Sequence, residues 1–382
     1  MRRRRWIWVP ILAALVISVV GYAHARPATG SQQVAAPSVM VVGDSISQGS
    51  AGDWTWRYRF ATQLAADGTQ VSMVGPRNYL YDHIHREQGD THYADAHFDR
   101  DHDATWGRRL EDEATTIRGE VRTAQPDYLL LLMGINDMMS GHRSAAQTEQ
   151  SLRSSIAEAR AGRPTVKFVL GTLPPNTRNA EVPAIAARRV EYNERLRVVA
   201  KELTTGRSPI RVADVATGID PRTDLWDGLH PNARGEVKIA AAFVDAMAGY
   251  GVGHRYPRPL VLPAIGPTQP PRLSVVSAVG VVRFSWTVTP GATGYRLWVR
   301  DLTAGETSFR PLGNLIGVKQ NTWVVTALAD GAEYEFKLQP VKGTAAGVAS
   351  NVVVGTPLPA PDRPQTYASA QPHYGVPLAS LA

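Results

Sequence analysis

The chain has 382 residues and no cysteine, which excludes disulfide bridges, thiolate metal centres and a cysteine nucleophile. Stability must come from a buried core, and a chain of this length can supply a large one. There is also no stripe of lysine and arginine interleaved with aromatic residues. Basic and acidic side chains are mixed as on a solvated face, so no nucleic-acid partner is implied. Of the formal net charge of +7, four units sit in the arginines at positions 2–5; without them the balance is +3. Metal-ligand spacings such as His-Glu-x-x-His are missing too. The histidines between positions 75 and 106 (His83, His85, His92, His97 and His102) therefore read as polar loop composition, and no metal is expected.

What is present begins with residues 1–25. They couple the four arginines to an apolar stretch, 6–23, and to Ala23-His24-Ala25, the anatomy of a secretory signal cleaved after Ala25. A secreted product is the expectation; retained, the same stretch is close to spanning length despite Pro10 and would act as a membrane anchor. Residues 26–37 are polar and expected to be flexible. From 38 to 250 predicted strands (39–42, 70–74, 128–133, 166–171, 210–213) alternate with predicted helices (54–66, 108–123, 145–161, 184–203), and a last helix follows at 233–247. Such alternation predicts βαβ units and a parallel sheet. Leu129-Leu130-Leu131-Leu132 is apolar throughout, as a central strand covered on both faces would be. Residues 75–106 show no period and are predicted to be an elaborated loop near the active end of the sheet.

A proline- and glycine-punctuated stretch, 251–268, is the expected linker. After it the period changes to two: Val282, Phe284 and Trp286, then Tyr295, Leu297 and Val299, then Tyr334, Phe336 and Leu338 alternate with polar neighbours. This predicts a small all-β sandwich over 269–357. Its segment Leu328-Ala329-Asp330-Gly331-Ala332-Glu333-Tyr334 resembles the tyrosine corner of fibronectin type III domains, with Trp286 as the buried aromatic. Residues 358–382, rich in Pro, Ala and Ser, are an expected disordered tail.

Three short stretches carry the candidate chemistry. Gly43-Asp44-Ser45 follows the apolar run Val39-Met40-Val41-Val42, so Ser45 falls just past the carboxyl end of a buried strand, where open α/β sheets bind ligands. A serine hydroxyl needs a base, an orienter for that base and donors for an oxyanion. Asp227-Gly228-Leu229-His230-Pro231 offers an aspartate three residues before a histidine, able to accept the imidazole Nδ1–H; taken alone, it equally suits an exposed turn. Gly134-Ile135-Asn136-Asp137 puts an asparagine amide at the end of the central strand; alone, it equally suits a helix-capping turn, a role open to Asp137.

By order and spacing these stretches resemble the first, third and fifth blocks of the SGNH hydrolases, also called GDSL esterases, over about 37–250. The resemblance implies a flavodoxin-like three-layer α/β/α sandwich with five parallel strands and an ester-hydrolysing serine enzyme without a cofactor. It also implies roles: Ser45 as nucleophile, His230 as base, Asp227 as its orienter, and the Ser45 N–H with Asn136 as oxyanion donors. The family's remaining donor is a glycine. Gly107, in Trp106-Gly107-Arg108, is chosen as opening a predicted helix whose first N–H groups are unpaired, with Gly89 as the fallback. The α/β-hydrolase elbow Gly-x-Ser-x-Gly is excluded, because Ser47 stands in its last position.

For the substrate, residues 49–59 resemble the segment after the nucleophile in secreted carbohydrate esterases. Asp44, Trp54 and Trp106 are the candidate substrate contacts, although Trp54 and Trp56 equally suit core anchors of the first helix. An acylated carbohydrate leads, probed as acetylated polysaccharide, and a general short-chain esterase follows. The contrasting expectation is a cell-surface binding or adhesion protein whose hydrolase domain is degenerate.

Overall fold

The computed structural model describes residues 36–178 and 182–361; the expected signal, nearly all of the flexible segment and most of the expected tail lie outside them. Among the described residues no helix is long and apolar enough to cross a membrane.

Five parallel strands, Ser38–Gly43, Ser72–Met73, Tyr128–Leu132, Lys167–Gly171 and Ile210–Ala213, stand side by side in the order 2-1-3-4-5. That is the flavodoxin-like order, with its switch point between the first and third strands. Val39 to Val42 and Leu129 to Leu132 are all within 1% of full burial, as continuous apolar runs at the middle of a sheet require. Helices cover both faces: Leu110–Ala124, Ala145–Gly162 and Pro183–Leu203 pack in succession on one, Thr55–Ala66 and Ala233–Ala248 on the other. Local signals set their ends. Ser144 and Gln147 form a reciprocal capping box, and Asn232 accepts the N–H groups of Arg234 and Gly235.

Several expectations change in detail. The strand expected at 70–74 shortens to Ser72–Met73, because it lies at the sheet edge and pairs through two residues only. The stretch 75–106 is not one loop. It contains the antiparallel pair Leu80–Asp82 and Glu87–Asp90, and then Asp103–Ala104, which adds to the first strand beside Val42 and Gly43. These elements are too short for a sequence period to reveal.

The all-β domain holds two antiparallel sheets. One orders Thr322–Thr326, Val281–Trp286 and Leu273–Ala278; the other centres on Gly294–Asp301 between Arg310–Ile316 and Tyr334–Lys342. Their inner faces meet in Phe284 against Phe336 (4.8 Å, 68°) and Trp286 against Tyr295 (5.5 Å, 61°). The stretch expected to link the domains is laid along the last helix: Arg258 pairs with Asp245 (2.8 Å), and Arg234 donates to the Pro263 carbonyl (3.2 Å). The expected tail begins later than position 358, since Leu358 bridges to Val279.

The two domains meet closely. A Cβ added at Gly52 would fall 1.9 Å from the carbonyl oxygen of Ala292, and Trp226 lies as closely over Gly343. Lys319 reaches Asp82 (3.8 Å), Glu87 (3.3 Å) and Asp90 (3.7 Å) from across the boundary.

Candidate active site

The first strand ends at Gly43, where a Cβ would stand 2.3 Å from that of Ser47; only glycine lets the chain turn back so tightly. The turn is the one-turn helix Ser45–Gln48, capped by Asp44, whose carboxylate accepts the N–H of Ile46 (3.0 Å). Ser45 is thus the first helical residue at the carboxyl end of strand one. Asn136 stands in the matching place after strand three, in the short helix Ile135–Met139. The two neighbouring strands diverge into opposite helix layers at this point, so both side chains face the same crevice.

His230 arrives from the far side of the sheet. Its Nε2 lies 2.9 Å from Ser45 Oγ, and its Nδ1 lies 2.8 Å from Asp227 Oδ2. The other Asp227 oxygen accepts the N–H groups of Leu229 (3.0 Å) and His230 (2.8 Å), so one carboxylate shapes the turn and holds the ring. Gly228 makes this turn possible with φ of +83°, at a spot where a Cβ would lie 2.1 Å from Thr177 Oγ1. Burial, the largest influence on Asp227, raises its pKa, but the hydrogen bond and charge of His230 outweigh it and hold the carboxyl down at about 2. The carboxylate is therefore ionised at neutral pH and can only accept. Nδ1 carries the proton, and in the neutral ring Nε2 is left as the acceptor facing the Ser45 hydroxyl.

Two indoles pack on this imidazole. Trp106 stacks on it (4.3 Å, 25°), as does Trp226 (5.3 Å, 23°), and the Trp226 backbone N–H donates to the His230 carbonyl (2.9 Å). Trp226 was not among the expected residues, although it directly precedes Asp227 and the pairing of an indole with the histidine loop was available as a signal. Ser45, His230, Trp106 and Trp226 line a cavity with about 10 Å³ of free space, together with Asp53, Thr55, Trp56 and Glu236. That is room for one water-sized group.

The other expected residues divide. Asn136 Nδ2 donates to the Arg108 carbonyl (3.1 Å) and, at longer range, to Asp44 Oδ2 (3.3 Å), which ties the asparagine to the residue before Ser45. Gly107 lies between Trp106 and Arg108, at the same rim, but it does not open a helix. The helix starts at Leu110, its first N–H groups are met by the Asp137 carboxylate (2.7 and 3.2 Å), and Gly107 occupies the preceding turn with φ of +78°. Gly89 sits apart in the exposed strand Glu87–Asp90. Asp44, an expected substrate contact, is fully buried, with its oxygens used on Ile46 and Asn136, and burial pushes its carboxyl up to about 7. Trp54 also turns away, lining a different cavity beside Pro290 and Gly291, whereas Trp56 is core, stacked on Phe243 (4.7 Å, 9°).

Among the described residues one acidic group, Asp103, Glu113 and Glu120, brings oxygens within 4.8 Å of one another. Arg77 pairs with Asp103 and with Glu120 (3.5 Å), Arg108 with Glu113 (2.7 Å), and burial raises Asp103 to about 7 and Glu113 well above its ordinary value. Two guanidiniums face this cluster and offset its charge.

Residues 41–237 match the GDSL-like Lipase/Acylhydrolase family. A multidomain esterase of Ruminococcus flavefaciens is 26% identical over 257 residues, which is 65% of this chain and 33% of that protein; the chain therefore spans about a third of that relative's length. Among solved structures, a carbohydrate esterase family 3 from Talaromyces cellulolyticus shares 28% identity (TM-score 0.47), covering 56% of this chain and 97% of its own. A family 3 carbohydrate esterase of Clostridium thermocellum shares 22% (TM-score 0.45), covering 56% and 96%. With the family match covering more than half of its length, the chain belongs to the GDSL-like lipase/acylhydrolases.

Proposed function

We propose that this chain is an esterase that removes short acyl groups, acetyl first, from carbohydrate through an acyl-enzyme on Ser45. The observation that carries the reading is the unbroken chain Asp227–His230–Ser45 (2.8 and 2.9 Å) opening on a cavity of about 10 Å³, which suits a methyl and not a longer acyl tail. His230 Nε2 takes the Ser45 proton as Oγ attacks the ester carbonyl. The oxyanion is met by the N–H groups of Ser45 and Gly107 and by the Asn136 amide, which exchanges its longer contact, to Asp44, for the new one. The carbonyl-to-alkoxy bond breaks, and the alcohol leaves with the proton from His230. Water then repeats the sequence on the acyl-serine, the acid departs, and Ser45 recovers its proton.

Two measurements test this. Acetate release from acetylated xylan should far exceed cleavage of medium-chain nitrophenyl esters; equal rates on both would reject the carbohydrate reading in favour of a general esterase. Asn136→Ala should lower kcat by on the order of 10²-fold or more, with KM little changed. A loss confined to KM would remove Asn136 from the oxyanion site.

The all-β domain fits a fibronectin type III-like module. The Tyr334 hydroxyl accepts the N–H of Ala329 (3.1 Å), five residues upstream, as a tyrosine corner does, and Trp286 is buried. Export is the reading supported by the arginines at 2–5, the apolar stretch 6–23 and Ala23-His24-Ala25.

A further inference from the structure

Tyr334–Lys342 alternates buried and half-buried residues until its last three, which are all buried. The last is a lysine, 2% exposed, and it leaves its own domain: Lys342 Nζ bonds Asp53 Oδ1 (2.5 Å) and Glu236 Oε1 in the hydrolase domain. Both carboxylates are themselves at least 96% buried. Burial is the largest influence on the lysine and lowers its pKa, but the two carboxylates outweigh it, so the ammonium stays charged. Removing three ionisable groups from water is costly, and well-packed apolar residues often replace such sets without loss of stability. A reason for this one lies in where it stands.

Asp53 and Glu236 line the same cavity as Ser45 and His230. Lys342, which bonds both, also lines a second cavity of about 100 Å³, with Trp54, Arg59, Pro263 and Gly291 around it. The ion triad is thus a partition between a small space at the nucleophile and a larger one behind it. Thr55, a β-branched residue held at φ of +66°, completes the wall, and Arg59 Nε supports Glu236 from 3.5 Å.

We propose that Lys342, supplied by the all-β domain, determines acyl-chain length: by holding Asp53 and Glu236 together it closes the acyl cavity behind Ser45. The inference rests on the short-acyl reading above. A chain of four carbons has no room while the partition stands, and gains the second cavity when it is opened. The β-domain is then part of the specificity apparatus of the hydrolase.

The test uses the full chain and nitrophenyl acetate, butyrate and hexanoate. For Lys342→Ala, the ratio of kcat/KM on butyrate to that on acetate should rise at least tenfold over wild type, a change that general damage to the fold would not produce. If Lys342→Ala does not fold, the charge-balanced Asp53→Asn/Lys342→Ala chain is measured against the same criterion. A wild type selective for acetate, with a variant whose ratio stays within twofold while both rates fall together, overturns the role of Lys342 alone. A wild type that cleaves hexanoate as readily as acetate overturns the short-acyl reading, and this inference with it.

Discussion

Ser45→Ala is expected to lower kcat on acetate esters by on the order of 10⁴-fold or more and to abolish labelling by a fluorophosphonate probe, with the far-UV circular dichroism and melting temperature little changed. The size follows from the geometry. Ser45 Oγ is the atom to which His230 Nε2 points at 2.9 Å, and alanine leaves the imidazole without a hydroxyl to activate. The fold should tolerate the change, because among the described residues the Ser45 hydroxyl bonds His230, and the helix it begins is capped by Asp44. Residual ester cleavage within tenfold of wild type, or a probe adduct that persists on another residue, would reject Ser45 as nucleophile.

Asp227→Asn should lower kcat by on the order of 10³- to 10⁴-fold with KM moving little. An amide at this place can donate to Nδ1, which shifts the imidazole proton to Nε2 and leaves no acceptor for the Ser45 hydroxyl. The substitution also removes the ion pair with Arg178. A second signature is its acid behaviour. The folded-state pKa of Asp227 is depressed from 3.8 to about 2, so its stabilising contribution is present above the ordinary carboxylate range and is lost as pH falls through about 4 to 2. Acid unfolding of the variant should therefore be less steep in that window. A kcat within tenfold of wild type between pH 6 and 8 would show that the histidine does not depend on this carboxylate.

Ser45, His230, Asp227 and Asn136 were legible because each is announced by its immediate surroundings: an apolar strand before Gly43, a leucine run before Gly134, a tight turn around Gly228. The five-strand sheet was legible for the same reason, since buried parallel strands are written as uninterrupted apolar runs. Other features depend on residues distant in the chain. Asp44 looked like a pocket residue from its place beside Ser45, but its bond from Asn136, 92 positions away, is not written in its neighbours. Trp54 and Trp56 are two residues apart and carry similar local signals, yet one faces the second domain and the other the helix Ala233–Ala248; only the packed fold distinguishes them. Gly107 was placed at a helix start that Asp137, from another strand's end, in fact caps three residues later. Lys342 gave no signal at all, because alternation along a strand says which residues point inward and nothing about which domain they enter.

The close approach of Gly52 to the Ala292 carbonyl and the bond from Lys342 to Asp53 bear on how such a protein diversifies. Splicing at the proline-rich stretch cannot shuffle the two modules as interchangeable cassettes, because a chimera would inherit a misfitting seam and a carboxylate pair with no ammonium to face it. Drift on either side is yoked to drift on the other, and paralogues should exchange these modules only as a matched set.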